Sequence, residues 1–205
     1  MAMGYTKQIQ ERIDLAHEGA LFIHADFTDI AAAETVRRTL NRLVSEKKIR
    51  RVLNGIYEKP KYSHLLQEYV ATDLHEVAKA LARNYHWSIS PSGSTALNLL
   101  GLSTQVSAVW SYRSDGPYKK YHIGQHTIEF RHRTNKEVSG LSETTALVVQ
   151  ALKELGRDKV NEFVIAGLSS RLGMEDKDRL LREASESTDW VYDVIRIVCG
   201  KGHFA

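Results

Sequence analysis

The stretch over residues 26–59, in the surroundings ADFTDIAAAETVRRTLNRLVSEKKIRRVLNGIYEKP, restricts the fold of this chain more than any other. Its periodicity changes partway along. Val36, Leu40, Leu43 and Val44 stand at i, i+4, i+7 and i+8, which is one apolar face of a helix. After Lys48 the pattern turns to strand: Ile49, Arg50, Arg51, Val52, then Asn54-Gly55, then Ile56 and Tyr57. Asn-Gly between β-prone residues signals a tight hairpin, because both residues tolerate positive φ. The predicted order is a short helix, a turn, a longer helix and a hairpin. That order is a winged helix-turn-helix, whose second helix fits the major groove of DNA.

Charge points the same way. Between residues 37 and 61 the bases are Arg37, Arg38, Arg42, Lys47, Lys48, Arg50, Arg51, Lys59 and Lys61, against Glu46 and Glu58, so nine minus two leaves +7. Phosphate neutralisation dominates DNA affinity, so such a surplus is the expected electrostatic footprint. The plainer reading is a solvated helix face and a charged loop. The element order favours DNA. The residues predicted to meet it are Thr35, Arg37, Arg38, Asn41 and Arg42 on the helix, Lys47 and Lys48 behind it, and Arg50, Arg51 and Asn54 on the hairpin. Strand alternation turns only one of Arg50 and Arg51 outward, and the expectation is Arg51.

Composition bounds the rest. The chain has 205 residues, 42% hydrophobic and 26% charged, with a net charge of +3. Residues 1–61 hold 11 bases and 8 acids, and residues 62–205 hold 17 of each, so the surplus lies in the N-terminal third. No apolar run approaches the ~20 residues of a membrane span. The N-terminus reads as a polar helix and not a signal peptide. The single cysteine, Cys199, excludes an internal disulfide, and a reducing cytosol is the simplest compartment.

Ile9, Ile13 and Ala16 predict a first helix, and the apolar residues 20–23 are expected to pair with the wing. Pro60 stops the wing, which places a boundary at 60–62. The division is then 1–61, a winged-helix domain, and 62–205, an α+β domain with a small antiparallel sheet and C-terminal helices. Within the second domain, residues 62–85 read as helix from the apolar stripe Leu65, Leu66, Tyr69, Val70, Val77, Ala78 and Leu81, with Asp73 as the place for a fresh start. Residues 87–89 read as a strand. Ser92-Gly93-Ser94-Thr95 offers N-caps for a helix closed by Gly101. Residues 106–112 read as a strand, 114–117 as a turn, and 118–123 with 126–133 as a hairpin about Gly124-Gln125. Three apolar helical stripes follow.

The segments Asp26-Phe27, Val36-x3-Leu40-x2-Leu43, Ile49-Arg50-Arg51, Gly55-Ile56-Tyr57 with Pro60, and Ser92-Gly93-Ser94-Thr95-Ala96-Leu97-Asn98-Leu99-Leu100-Gly101-Leu102 carry a family resemblance. The chain resembles the AbiEi-type antitoxins, transcriptional regulators of type IV toxin–antitoxin systems, over roughly residues 5–135. The resemblance implies that the N-terminal domain binds inverted repeats in its own promoter and represses. It implies that the second domain neutralises a nucleotidyltransferase-like toxin without forming a stable complex with it. In this sequence Lys47-Lys48 stand where such domains commonly end the recognition helix with glycine. No heptad stripe is evident, so the chain is expected to be a monomer that pairs on DNA. The alternative is a stand-alone winged-helix regulator whose second domain binds a ligand or RNA.

Other chemistries find less support. Ser92-Gly93-Ser94 has the look of a nucleotidyltransferase loop, but that reaction needs neighbouring carboxylates to hold metal ions, and residues 77–114 contain none. His122, His126 and His132 lack a cysteine to complete a zinc set. There is no G-x-S-x-G elbow. The expectation is no catalytic residue, no metal and no cofactor. Lys119, Lys120, Arg131, Arg133 and Lys136, interleaved with Tyr118, Tyr121 and Phe130, are either an RNA or partner surface or a solvated strand face.

Overall fold

In the computed structural model, which describes residues 4–103, 105, 107–133 and 140–202, the N-terminal apolar spacing is realised as helix. Helix α1 (Tyr5–Leu15) buries Ile9 and Ile13, and α2 (Ala33–Ser45) buries Val36, Leu40 and Leu43. Between them run strand β1 (Leu21–Ile23) and a 3-10 turn, His24–Phe27. Asp26 caps that turn by accepting the Ile23 N–H at 2.9 Å, and Phe27 is fully buried. The hairpin follows as β2 (Arg50–Leu53) and β3 (Ile56–Glu58), turning at Gly55 with φ +80°. The three strands form one antiparallel sheet in the order β1-β3-β2, so the segment before the first turn does pair with the hairpin. Ile9, Ile13, Phe22, Phe27, Leu40 and Tyr57 belong to one core that joins the helices to this sheet.

Residues 62–73 depart from the predicted helix. Tyr62–Ser63 (β4) and Glu68–Tyr69 (β5) form a small antiparallel hairpin, with Gln67 at φ +54°. Leu65 and Leu66, counted in the apolar stripe, are 92% and 65% exposed. The ladder is held by an edge-on contact between Tyr62 and Tyr69 at 5.3 Å and by Val70 N–H donating to Lys61 O at 2.8 Å. The helix itself, α3 (Leu74–Tyr85), starts at Asp73, whose carboxylate accepts from His75 N–H at 2.8 Å.

Contacts divide the chain into two compact units, Met1–His86 and Trp87–Ala205. The expected boundary at 61 is therefore moved to follow α3. The reason is burial: α3 packs on β1 and β3, and its apolar face, Val77, Ala78 and Leu81, is closed to solvent. A chain cut at 61 would leave that side of the sheet bare.

In the second unit β6 (Ile89–Pro91), β7 (Val109–Ser114), β8 (Lys119–Ile123) and β9 (His126–His132) form a sheet in the order β6-β7-β9-β8. The expected β8–β9 hairpin is present, with Gly124 at φ +56°. The sheet is mixed and not purely antiparallel, because β9 inserts between β8 and β7 and runs parallel to β7. The predicted strand start at Val106 lies outside the described residues. Tyr112, Ile128 and Phe130 are fully buried, and the Trp87 ring meets Phe130 edge-on at 5.5 Å.

Helix α4 (Ser94–Leu99) follows β6, but its expected side-chain N-cap is absent. Gly93 takes the cap position at φ +58°, and the neighbouring hydroxyls tie to β7 instead. Ser92 Oγ donates to Ser111 O at 3.3 Å, and Thr95 Oγ1 accepts from Ser111 N–H at 2.7 Å. The three C-terminal stripes become α5 (Glu143–Leu155), α6 (Glu162–Arg171) and α8 (Asp189–Val198), and a further helix that no stripe marked, α7 (Met174–Glu183), lies between the last two; all four share one apolar core with α4. Among the described residues no helix is long and apolar enough to cross a membrane.

Candidate nucleic-acid interface

Helix α2 separates its two faces cleanly. Thr39 joins the buried side by donating its hydroxyl to Thr35 O at 2.8 Å, whereas Arg37, Arg38, Asn41 and Arg42 are exposed and Thr35 is half-buried. The arginines are lightly held. Arg37 and Arg38 share Glu34 at 3.5 and 3.0 Å, and Arg42 and Lys48 share Glu46 at 3.3 and 3.1 Å. Exposed pairs of this kind contribute little, ~0–1 kcal/mol, so phosphates can replace the carboxylates at small cost. Glu34 lies just outside the window that gave +7, and counting it leaves nine bases against three acids, or +6.

The helix ends in a way the sequence left open. Lys47 adopts the left-handed conformation, φ +58°, that glycine commonly supplies. Lys48 N–H donates to Leu43 O and Lys47 N–H to Val44 O, both at 3.0 Å, which closes the helix as a Schellman motif. The chain thereby enters β2 at the angle a C-terminal glycine would have set.

The hairpin divides its two arginines. Arg50 turns inward: its guanidinium pairs with buried Glu58 and donates to Val70 O and Thr72 Oγ1, both at 2.9 Å. Thr72 donates to the same Glu58 oxygen at 2.8 Å. Arg50 is thus a bracket between the sheet and the segment leading to α3, and its predicted place on DNA is withdrawn. Lys59 is likewise engaged, donating to Asp14 O and Ala16 O at 2.7 Å. Arg51 points outward, lies over the Tyr57 ring at 5.5 Å and donates to Asn41 Oδ1, so one α2 residue fixes the guanidinium of the hairpin.

These contacts bound an open groove of about 540 Å³. Arg37 and Asn41 line it from α2, Arg51 and Asn54 from the hairpin, and His24 and Asn84 from the far side. Four of the predicted residues therefore share one cavity. Thr35, Arg38, Arg42, Lys47 and Lys48 lie outside its lining. The sequence reading missed Asn84 and Tyr85, because the boundary drawn at 61 separated α3 from the site, and it missed His24, which stands before α2 and carries no motif of its own.

The second basic group divides between two faces. In the β8–β9 register Lys119 is opposite Phe130 and Lys120 opposite Glu129, so alternation puts the two lysines on opposite faces of the sheet. Lys119 sits over the Tyr121 ring at 5.2 Å. On the other face Glu129, only 4% exposed, accepts from Tyr118 OH at 2.5 Å, Arg131 Nε at 2.8 Å and Ser111 Oγ at 3.3 Å, with Lys120 Nζ at 3.2 Å. The Tyr118 hydrogen bond, with those from Arg131 and Lys120, outweighs burial and holds the Glu129 carboxyl down at about 2. Arg133 is exposed beyond this cluster, and Lys136 lies outside the described residues. Lys119, Lys120, Arg131 and Arg133, read as either an RNA or partner surface or a solvated strand face, therefore do not form one continuous surface: Lys120 and Arg131 are committed to a central carboxylate.

Among the described residues no group of three or more His, Cys, Asp or Glu is placed to hold a metal ion. A family described as "Family of unknown function (DUF6088)" matches residues 8–180. No curated protein matches the chain. Among solved structures, the crystal structure of the RV2827C protein from Mycobacterium tuberculosis is similar with a TM-score of 0.41 and 11% identity, over 98% of this chain and 82% of that one.

Proposed function

We propose that this chain, which belongs to the DUF6088 family of unknown function, is a double-stranded-DNA-binding autorepressor that also acts as the antitoxin to a nucleotidyltransferase-like toxin. The observation that carries the DNA reading is the convergence of Arg37, Asn41, Arg51 and Asn54 on one groove beside the exposed face of α2. The order α1, β1, 3-10 turn, α2, β2, β3, with β1 paired to β3, supports reading the first unit as a winged helix. In that arrangement α2 enters the major groove. Arg38 and Arg42 approach base edges or flanking phosphates, and Arg51, Lys47 and Lys48 approach the backbone. The antitoxin half rests on the AbiEi-type resemblance, above all on Ser92-Gly93-Ser94 and the helix behind it.

The test is a mobility-shift titration of the full chain on the promoter fragment of its own gene. Arg38→Ala is expected to weaken specific binding by ~1–3 kcal/mol, the worth of a good base contact. An affinity equal to that of the unaltered chain would remove Arg38 from the interface, and absence of any shift with the unaltered chain would remove the DNA reading.

A further inference from the structure

The far wall of the groove belongs to no element that a winged helix uses to read bases. It is made by the last turn of α3, Asn84 and Tyr85, and by His24 at the start of the 3-10 turn. We infer that this wall, together with Arg37 and Arg51, seats one sugar-phosphate strand of a DNA duplex, so that α3 is part of the DNA-binding surface. The inference rests on the DNA reading above and adds a contact to it.

The chemistry of the lining selects the ligand. It contains two guanidinium groups and no Asp or Glu. Asn54, Asn84 and His24 make no side-chain hydrogen bond among the described residues, so their donors are open to an incoming acceptor. The Arg51 guanidinium is already oriented by Asn41 Oδ1 and the Tyr57 ring, which lowers the ordering cost of binding a planar, bidentate partner. Ala33, the first residue of α2, opens into the same groove, and its N-cap, Ala32, supplies no side-chain cap; Glu34 in the first turn offsets part of the positive end of the helix, but it is not in the lining. A ligand rich in acceptors and negative charge fits such a lining. A phosphodiester strand has both along its length.

One term opposes this. The C-terminal end of α3 is the negative end of its dipole. Its last carbonyls are partly satisfied, since His86 N–H donates to Arg83 O at 3.3 Å. A screened helix end is weak beside two charge-assisted contacts to phosphate, so the cations decide the sign.

The experiment uses the full chain and a labelled 20-base-pair duplex of arbitrary sequence, read by fluorescence anisotropy across a salt series. Asn84→Asp should weaken binding about tenfold. Asn84→Lys should tighten it severalfold and steepen the salt dependence by about one unit of slope, a gain that misfolding cannot imitate. Lys79→Ala makes the same charge change as Asn84→Asp on α3 outside the groove lining, and should alter binding less than about twofold. Wild-type affinity and slope in both Asn84 variants would overturn the inference while leaving the DNA reading intact. So would equal losses in Asn84→Asp and Lys79→Ala, with no gain in Asn84→Lys. Failure of the unaltered chain to bind this duplex or its own promoter would overturn both.

Discussion

Lys47 and Gly101 perform the same task with different residues. Each stands just after a helix at positive φ, +58° and +62°. Each helix is closed by the same pair of bonds, Lys48 N–H to Leu43 O in one and Leu102 N–H to Leu97 O in the other. At Gly101 the glycine takes the positive φ without strain, and an added Cβ would in addition displace the end of the Arg171 side chain, 2.4 Å away. At Lys47 the side chain is exposed, and the L-residue bears the left-handed strain of ~1 kcal/mol. Lys47→Gly should relieve that strain and lose ~0.4–1 kcal/mol of the gain to a freer unfolded chain, for a net stabilisation of ~0–0.6 kcal/mol in urea unfolding. The same variant should lower the slope of DNA affinity against salt by about one if Lys47 meets a phosphate. A destabilised variant would show that the lysine side chain makes a contact worth more than the backbone strain.

At the scale of elements, alternation on β2 converts two adjacent arginines into different kinds of residue. Arg50 faces Glu58, which is 2% exposed, and Arg51 faces water. Removing the Arg50 guanidinium strands a buried carboxylate. Arg50→Gln should therefore cost ~1–2 kcal/mol of stability, discounted because the Arg50 side chain is itself 35% exposed. Its salt slope on duplex DNA should stay unchanged. Arg51→Gln should do the reverse, with a stability change below ~1 kcal/mol and a slope reduced by about one. Matched behaviour of the two variants would refute the division. The sequence contained enough to separate the two arginines, because period 2 is a local property, but not to choose between them: Ile49, two residues before Arg51, is itself buried. It also located α1, α2, the Asn54-Gly55 turn, the β8–β9 hairpin and three of the four C-terminal helices, α5, α6 and α8, each from a local signal, while α7, whose apolar residues are few, carried no stripe. What it missed was non-local. The parallel pairing of β7 with β9 depends on a crossover that neither strand encodes. The hydroxyls of Ser92 and Thr95 were free to cap a helix or to bond a strand, and Ser111 decided the matter. Leu65 and Leu66 fitted a helical stripe with no partner to bury it. The third wall of the groove came from a helix assigned to another domain.

At the scale of the whole molecule, the compact units and not the charge arithmetic define the fragment to test. The surplus of +3 ends at residue 61, but the fold that holds it continues to His86. Residues 1–61 alone lack Thr72, which donates to Glu58, and the apolar face of α3 that covers the sheet. They should unfold or aggregate. Residues 1–86 retain every residue proposed to meet DNA, and should bind the promoter duplex within about tenfold of the full chain, the loss reflecting whatever pairing on inverted repeats the second unit adds. Antitoxicity should be absent from that fragment, because the segment that carries the AbiEi-type resemblance most specifically, residues 92–102, lies in the second unit and is pinned there to β7. A promoter–reporter assay beside co-expression with a nucleotidyltransferase-like toxin of the proposed class separates the two proposed activities: residues 1–86 should repress the reporter and leave growth arrested, whereas the full chain should do the first and relieve the second. Rescue of growth by residues 1–86 alone would place antitoxicity in the DNA-binding unit and leave residues 87–205 without the role proposed for them.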